Sequence, residues 1–137
     1  MLANLALAVS MSVTMSVAAS DDAVKQSLHP TEHKIIQHTN RERARHGLRP
    51  LKLDMRLMRS ARRHTRWMTR SRNLQHTSDM VGENIAMGQR NSKEAVVAWM
   101  NSSGHRANML HTGYTRVGAA SYTTADGTPY WCIQFLR

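Results

Sequence analysis

His76, Glu83 and His105, two imidazoles and a carboxylate in mid-chain, are the side chains best suited to chemistry. His105 follows Gly104 inside the stretch Trp99–Leu110, between two short helical patterns. Ala95, Val96 and Trp99 recur at the spacing of one helix face. Ser103-Gly104 then reads as a break, because glycine tolerates the angles that end helices. His105 would open the next turn, where free backbone N–H groups collect. At such an edge an imidazole can reach into a cleft. Glu83 lies in the weakly polar run Gly82–Ala86, and His76 precedes it in Leu74–Thr77.

Two histidines and one carboxylate can bind a divalent metal such as zinc, leaving a position for water. Such a water could attack an ester or an amide. No HExxH or other compact ligand motif is present, so spacing alone carries no metal signal. Without metal, the same residues make a polar cluster in which Glu83 holds a protonated His76 or His105. Ser102 and Ser103 beside His105 would complete a Ser–His–Glu triad, but no GxSxG elbow accompanies them.

Several elements must position these groups. A helix is predicted from Pro30-Thr31 to about His46, with proline in its first turn and Gly47 as its stop. Its inner side carries Ile35, Ile36, Thr39, Asn40 and Arg43. After the turn at 47–51, Asp54 caps a second helix running to about Arg70. Leu57, Ala61, His64, Thr65 and Met68 share one face of it. Arg56, Arg59, Arg63, Arg66 and Arg70 share the opposite one, a docking stripe for polyanions or a solvated face. Residues 71–91 read as a loop region with a short strand near Asn84–Met87. Ser92 is expected to cap the helix bearing Trp99, and a short helix from Ser103 or Gly104 to Leu110 follows. Val117–Thr123 and Tyr130–Leu136 read as strands joined by a turn at Asp126-Gly127. Helices followed by a late hairpin imply an α+β layout.

The 137 residues suit one domain and carry a formal net charge of +10. That balance favours anionic surfaces such as cell-wall polymers, acidic lipid headgroups, acidic polysaccharide or nucleic acid. Residues 1–20 contain no Lys, Arg, Asp or Glu and end in small residues, the pattern of a secretory signal. Residues 21–30 read as a linker and 31–137 as the domain. The single cysteine, Cys132, cannot form an intramolecular disulfide and reads as a buried thiol.

The runs GENIA at 82–86, SSGHRANML at 102–110 and YWCIQF at 130–135 resemble the CAP superfamily, which includes cysteine-rich secretory, antigen 5 and pathogenesis-related proteins. The resemblance runs from about His33 to the C-terminus and includes Asn40, Arg43, residues 47–54, Ala61 and His64. It is to the bacterial extracellular branch, which fits a chain with one cysteine. It implies a three-layer α-β-α sandwich around a small, mainly antiparallel sheet. It also implies that Asn40 and Arg43 are structural, tying down loop carbonyls. The family cleft is lined by two histidines and two acids. His76, Glu83 and His105 match three of these, and Ser102 stands where the second acid would be. Serine can hydrogen-bond but supplies no charge, which undercuts any mechanism that needs two carboxylates.

Three functions follow as expectations. The first is a secreted, non-enzymatic module, extracellular or in the cell envelope and monomeric. It would bind a lipid or an anionic cell-envelope polymer through the His/Glu cleft and the basic helix face, with no specific nucleic-acid partner. The second is an extracellular hydrolase using His76, Glu83 and His105 with Zn2+ or another divalent metal. The third is an antimicrobial-type polyanion binder whose cluster is structural.

Overall fold

The computed structural model describes residues 28–137; the expected signal segment and all but the end of the expected linker lie outside them. Helix α1 spans Pro30–Arg45, with Pro30 at its start and Glu32 bonding back to the His29 N–H at 2.9 Å. Gly47 takes the positive φ (+70°) that turns the chain after the helix. Lys52–Leu53 form β1, and α2 covers Met55–Ser71. The expected Asp54 cap is present, accepting from the backbone N–H groups of Arg56 and Leu57. Strand β2 is Gly82–Met87, α3 is Ser92–Met100 and α4 is Ser103–Met109. Strands β3 (Arg116–Thr123) and β4 (Pro129–Leu136) form the expected hairpin, with Gly127 at φ +89° in its turn.

The sheet order is β1-β3-β4-β2, antiparallel except for the short β1–β3 pair. Side chains alternate across a strand, so each face has its own core. Val117, Ala119, Trp131, Ile133 and Phe135 meet Ile35, Trp99, Met100 and Met109 from α1, α3 and α4. Ala120, Tyr130, Cys132 and Ile85 meet Ala61 and Met68 from α2 on the other face. The result is the α-β-α sandwich. Among the described residues no helix is long and apolar enough to cross a membrane.

Arg43 is buried and donates to the carbonyls of Arg49, Met109 and His111 at 2.9–3.0 Å. Asn40 exchanges two hydrogen bonds with the backbone of Leu51, at 3.0 and 2.8 Å. Polar groups on the inner side of α1 thus hold two stretches of chain, 49–51 and 109–111, whose carbonyls would otherwise be buried unpaired.

Several local expectations need correction. Asn91, not Ser92, caps α3: its side chain accepts from the Glu94 N–H, while Ser92 is already helical. The break before α4 falls at Asn101-Ser102, leaving Gly104 and His105 inside the helix. Strand β2 begins at Gly82, so Glu83 belongs to the sheet rather than to a loop. The face of α2 toward the sheet also includes Met58, fully buried, whose Sδ accepts from the Ala119 N–H.

Candidate functional site

Glu83 is built into the edge strand β2, opposite Gln134 of β4. Strand alternation turns its side chain toward α2 and buries it. Four donors converge on its carboxylate. His76 Nδ1 lies 2.8 Å from Oε1, and the Thr77 N–H donates to the same oxygen at 2.9 Å. Gln134 Nε2 donates to Oε2 at 2.9 Å, and the Cys132 thiol approaches that oxygen at 3.6 Å. His64 Nε2 stands 3.9 Å from Oε2 and bonds to the Gln75 carbonyl at 2.7 Å. The carboxylate therefore organises the loop 75–77, β4 and α2 around itself. Burial pushes the Cys132 thiol well up, and the negative Glu83 adds to it, so this sulfur stays protonated.

The next residue, Asn84, points to the opposite face and is fully buried. Its Nδ2 donates to the His105 carbonyl at 3.0 Å, and its Oδ1 accepts from Asn108 Nδ2 at 3.0 Å. Asn108 also donates to the Glu83 carbonyl at 3.1 Å. Two amides thus lock α4 onto β2 and set where His105 sits. The His105 ring is half-buried; burial lowers its pKa, and the neighbouring His76 lowers it further.

The predicted residues are therefore brought together unequally. His76 and Glu83 touch directly. His105 reaches the site around the edge of β2, close enough to feel His76, with no hydrogen bond from its ring to either one. Ser102 occupies the position before α4 and its side chain makes no capping bond. Among the described residues, no three His, Cys, Asp or Glu side chains are arranged to hold a metal ion. His64, Gln134, Cys132 and Thr77 complete the cluster, and no sequence motif marks them as members of the site. For His64 a signal existed, a histidine on the apolar face of α2. For Gln134 the only signal was a polar residue inside a hydrophobic strand.

Beside this cluster runs the outer face of α2. Arg59, Arg63, Arg66 and Arg70 line one surface hollow together with Trp67 and Arg62. Arg56 is exposed but lies outside that hollow. Arg62 binds the buried Glu32 through two bonds of 2.7 and 2.6 Å, a bidentate pair that ties α2 to α1. Arg66 lies 5.0 Å from the Tyr122 ring centroid. Trp67 stacks on His64, with ring centroids 5.7 Å apart and planes 14° from parallel.

Comparison with known proteins places this arrangement. The model of the cysteine-rich secretory protein family, CAP, matches residues 36–135. Bacillus subtilis YkwD, an uncharacterized protein, is 35% identical over 127 residues, covering 80% of this chain and 48% of that protein. Bacillus subtilis YlbC, described as an uncharacterized membrane protein, is 30% identical over 134 residues, covering 83% and 39%. The chain thus spans half or less of the length of these relatives. An extracellular Bacillus anthracis protein containing an SCP domain superposes with a TM-score of 0.67 at 27% identity, covering 86% of this chain and 44% of that one. An outer surface protein of Borrelia burgdorferi shares the fold, with a TM-score of 0.70 at 19% identity and coverage of 78% and 94%.

Proposed function

The chain belongs to the cysteine-rich secretory protein (CAP) family, and from that premise we propose a non-enzymatic binding module that works outside the cytoplasm. It would hold an anionic cell-envelope ligand through the cleft around His76 and the basic face of α2. The observation that carries this reading is the engagement of Glu83. Both oxygens of this carboxylate accept hydrogen bonds from the protein's own groups, so it serves as a brace rather than as a free base or nucleophile. Neither Ser102 nor Ser103 has a hydrogen bond to His105 that would activate it, the first geometric requirement of a triad. The extracellular setting is supported by the Bacillus anthracis protein, which is described as extracellular.

The test is retention on anionic supports, including teichoic acid, anionic liposomes and heparin, as salt is raised. Pairing of arginines with the anionic groups of the support releases bound counterions, so retention should fall steeply as salt is raised. The Arg59→Gln, Arg63→Gln, Arg66→Gln triple variant should elute at lower salt with its fold intact. Elution at the same salt as the parent protein sinks the basic-face reading. Turnover of ester or amide substrates that depends on His105 would replace the binding module with a hydrolase.

A resident zinc ion fits this donor set poorly. Glu83 is occupied, which leaves the free ring nitrogens of His76 and His105 where a catalytic zinc site ordinarily has three protein ligands. Glu83 would then act on His76 from behind, fixing its tautomer and ring direction, as carboxylates do behind metal-bound histidines. Calorimetry with zinc on the parent protein and on His105→Ala decides the matter. Tight binding lost in His105→Ala would restore the metal site.

A further inference from the structure

We propose that the outer face of α2 is a subsite for an anionic glycan, in which Trp67 packs against a sugar ring while Arg59, Arg63, Arg66 and Arg70 pair with its acidic groups. This rests on the reading above that the basic face takes an anionic ligand, and it specifies the ligand class.

Helix α2 holds six arginines and no acidic residue in 17 positions. Arg59 and Arg70 have no ion-pair or hydrogen-bond partner among the described residues, and Arg63 has only an exposed contact of 3.5 Å to Asp79. In their midst Trp67 is 44% exposed, although an indole gains most from burial. Its ring is not loose. It stacks on His64, whose own ring is fixed by the Gln75 carbonyl. A rigid, exposed aromatic surface among arginines is suited to a ligand that is at once planar-faced and negatively charged.

Trp67 also lines a second hollow, with His64, Gln75, His76, Thr77 and Ser78. The indole is therefore the shared wall between the arginine face and the His76 side. One extended ligand can lie across it, with acidic groups on the arginines and hydroxyls near the amide and hydroxyl side chains of 75–78. A lipid surface fits less well. A helix lying on a membrane offers its apolar face to the acyl chains, and the apolar face of α2 is already buried on β3 and β4 through Met58, Ala61, Thr65 and Met68. A single-stranded nucleic acid would use several stacking aromatics along its track, and here Trp67 is the one aromatic lining the arginine hollow, the neighbouring Tyr122 ring being already covered by Arg66.

The probes are a heparin octasaccharide, an inorganic polyphosphate of matched charge, phosphatidylglycerol vesicles and a short single-stranded DNA. Affinities are measured by titration calorimetry at fixed salt. The parent protein should bind the octasaccharide more tightly than the other three. Trp67→Ala should weaken the octasaccharide about fivefold to tenfold and leave the ringless polyphosphate unchanged, while Trp67→Tyr restores most of the loss. Matching unfolding midpoints for the two Trp67 variants separate a lost contact from a lost fold. Equal effects of Trp67→Ala on octasaccharide and polyphosphate, or tighter binding of DNA or vesicles, overturn the glycan assignment. If the arginine triple variant loses affinity while Trp67→Ala does not, only this inference fails. If neither variant changes any binding, the basic-face reading fails with it.

Discussion

Glu83 and Gln134 face each other across β2 and β4 and share a buried hydrogen bond of 2.9 Å, although 51 positions separate them in sequence. The bond joins the edge strand to its neighbour below α2. It makes the acid a structural member of the sheet as well as the partner of His76.

The first prediction follows from that bond. Glu83→Ala leaves Gln134 Nε2 and the Thr77 N–H buried or half-buried without their acceptor. The domain should lose about 3 kcal/mol. Glu83→Gln keeps an oxygen acceptor and should lose clearly less. Urea unfolding of the three proteins measures this, and an Ala variant within about 0.5 kcal/mol of the parent would mean that Glu83 is dispensable to the fold.

Gly118 is the place where α2 touches the sheet. A Cβ built there would lie 2.2 Å from the Leu57 carbonyl carbon and 2.4 Å from the Met58 nitrogen. These are backbone atoms, which cannot swing aside like a side-chain tip. Gly118→Ala should therefore push α2 off β3 and cost at least about 2 kcal/mol. It should also disturb His64, which α2 carries toward Glu83. Loss of stability with unchanged histidine resonances would separate the two effects and contradict the second.

Trp99 is 1% exposed, and its Nε1 donates to the Ile85 carbonyl at 3.0 Å. Trp99→Ala removes a large core side chain and leaves that carbonyl unpaired. A loss of about 3–5 kcal/mol is expected. Thermal or denaturant unfolding checks it, and a loss below about 1 kcal/mol would place Trp99 outside the core.

The fourth prediction concerns pH. Burial, and then the neighbouring His76, lower the His105 pKa from its ordinary 6.5. The unfolded chain therefore takes up this proton more readily than the folded one. The His105 contribution to stability is complete above about pH 6.5 and is lost as pH falls through the folded value. The metal-free protein should lose stability between pH 7 and pH 5, and His105→Asn should lose less over the same interval. Unfolding midpoints at the two pH values decide it; an identical drop in both proteins would remove His105 as a contributor.

Much of the architecture could be read from residue order. The period of α2, with Leu57, Ala61, Thr65 and Met68 inward and arginines outward, is a local property of the chain and survives intact. So do the Asp54 cap, the β3–β4 hairpin, the burial of Cys132 and the inward Asn40 and Arg43. Each depends on neighbours within a few positions or on a side chain's placement on its own helix. The two residues of β1 carry no sequence signal because a strand that short has no alternation to detect. Glu32 and Arg62 gave no sign of their buried pairing, since each looks like an ordinary surface charge on its own helix.

By itself the sequence determined which side chains were available for chemistry, His76, Glu83 and His105, and that they lay near one strand and one helix start. Only the tertiary structure decided how they are used. Strand register set Glu83 against Gln134 and Cys132, and the pleat sent Asn84 to the opposite face to hold α4. Shifting the pairing register of a strand by one residue exchanges its two faces, so no local pattern could say which side of the sheet the carboxylate served. Packing of α2 then brought His64 to Glu83 and left Trp67 at the surface between two hollows. Those contacts depend on the docking of whole elements, where burial of apolar faces rather than any local preference fixes the partner.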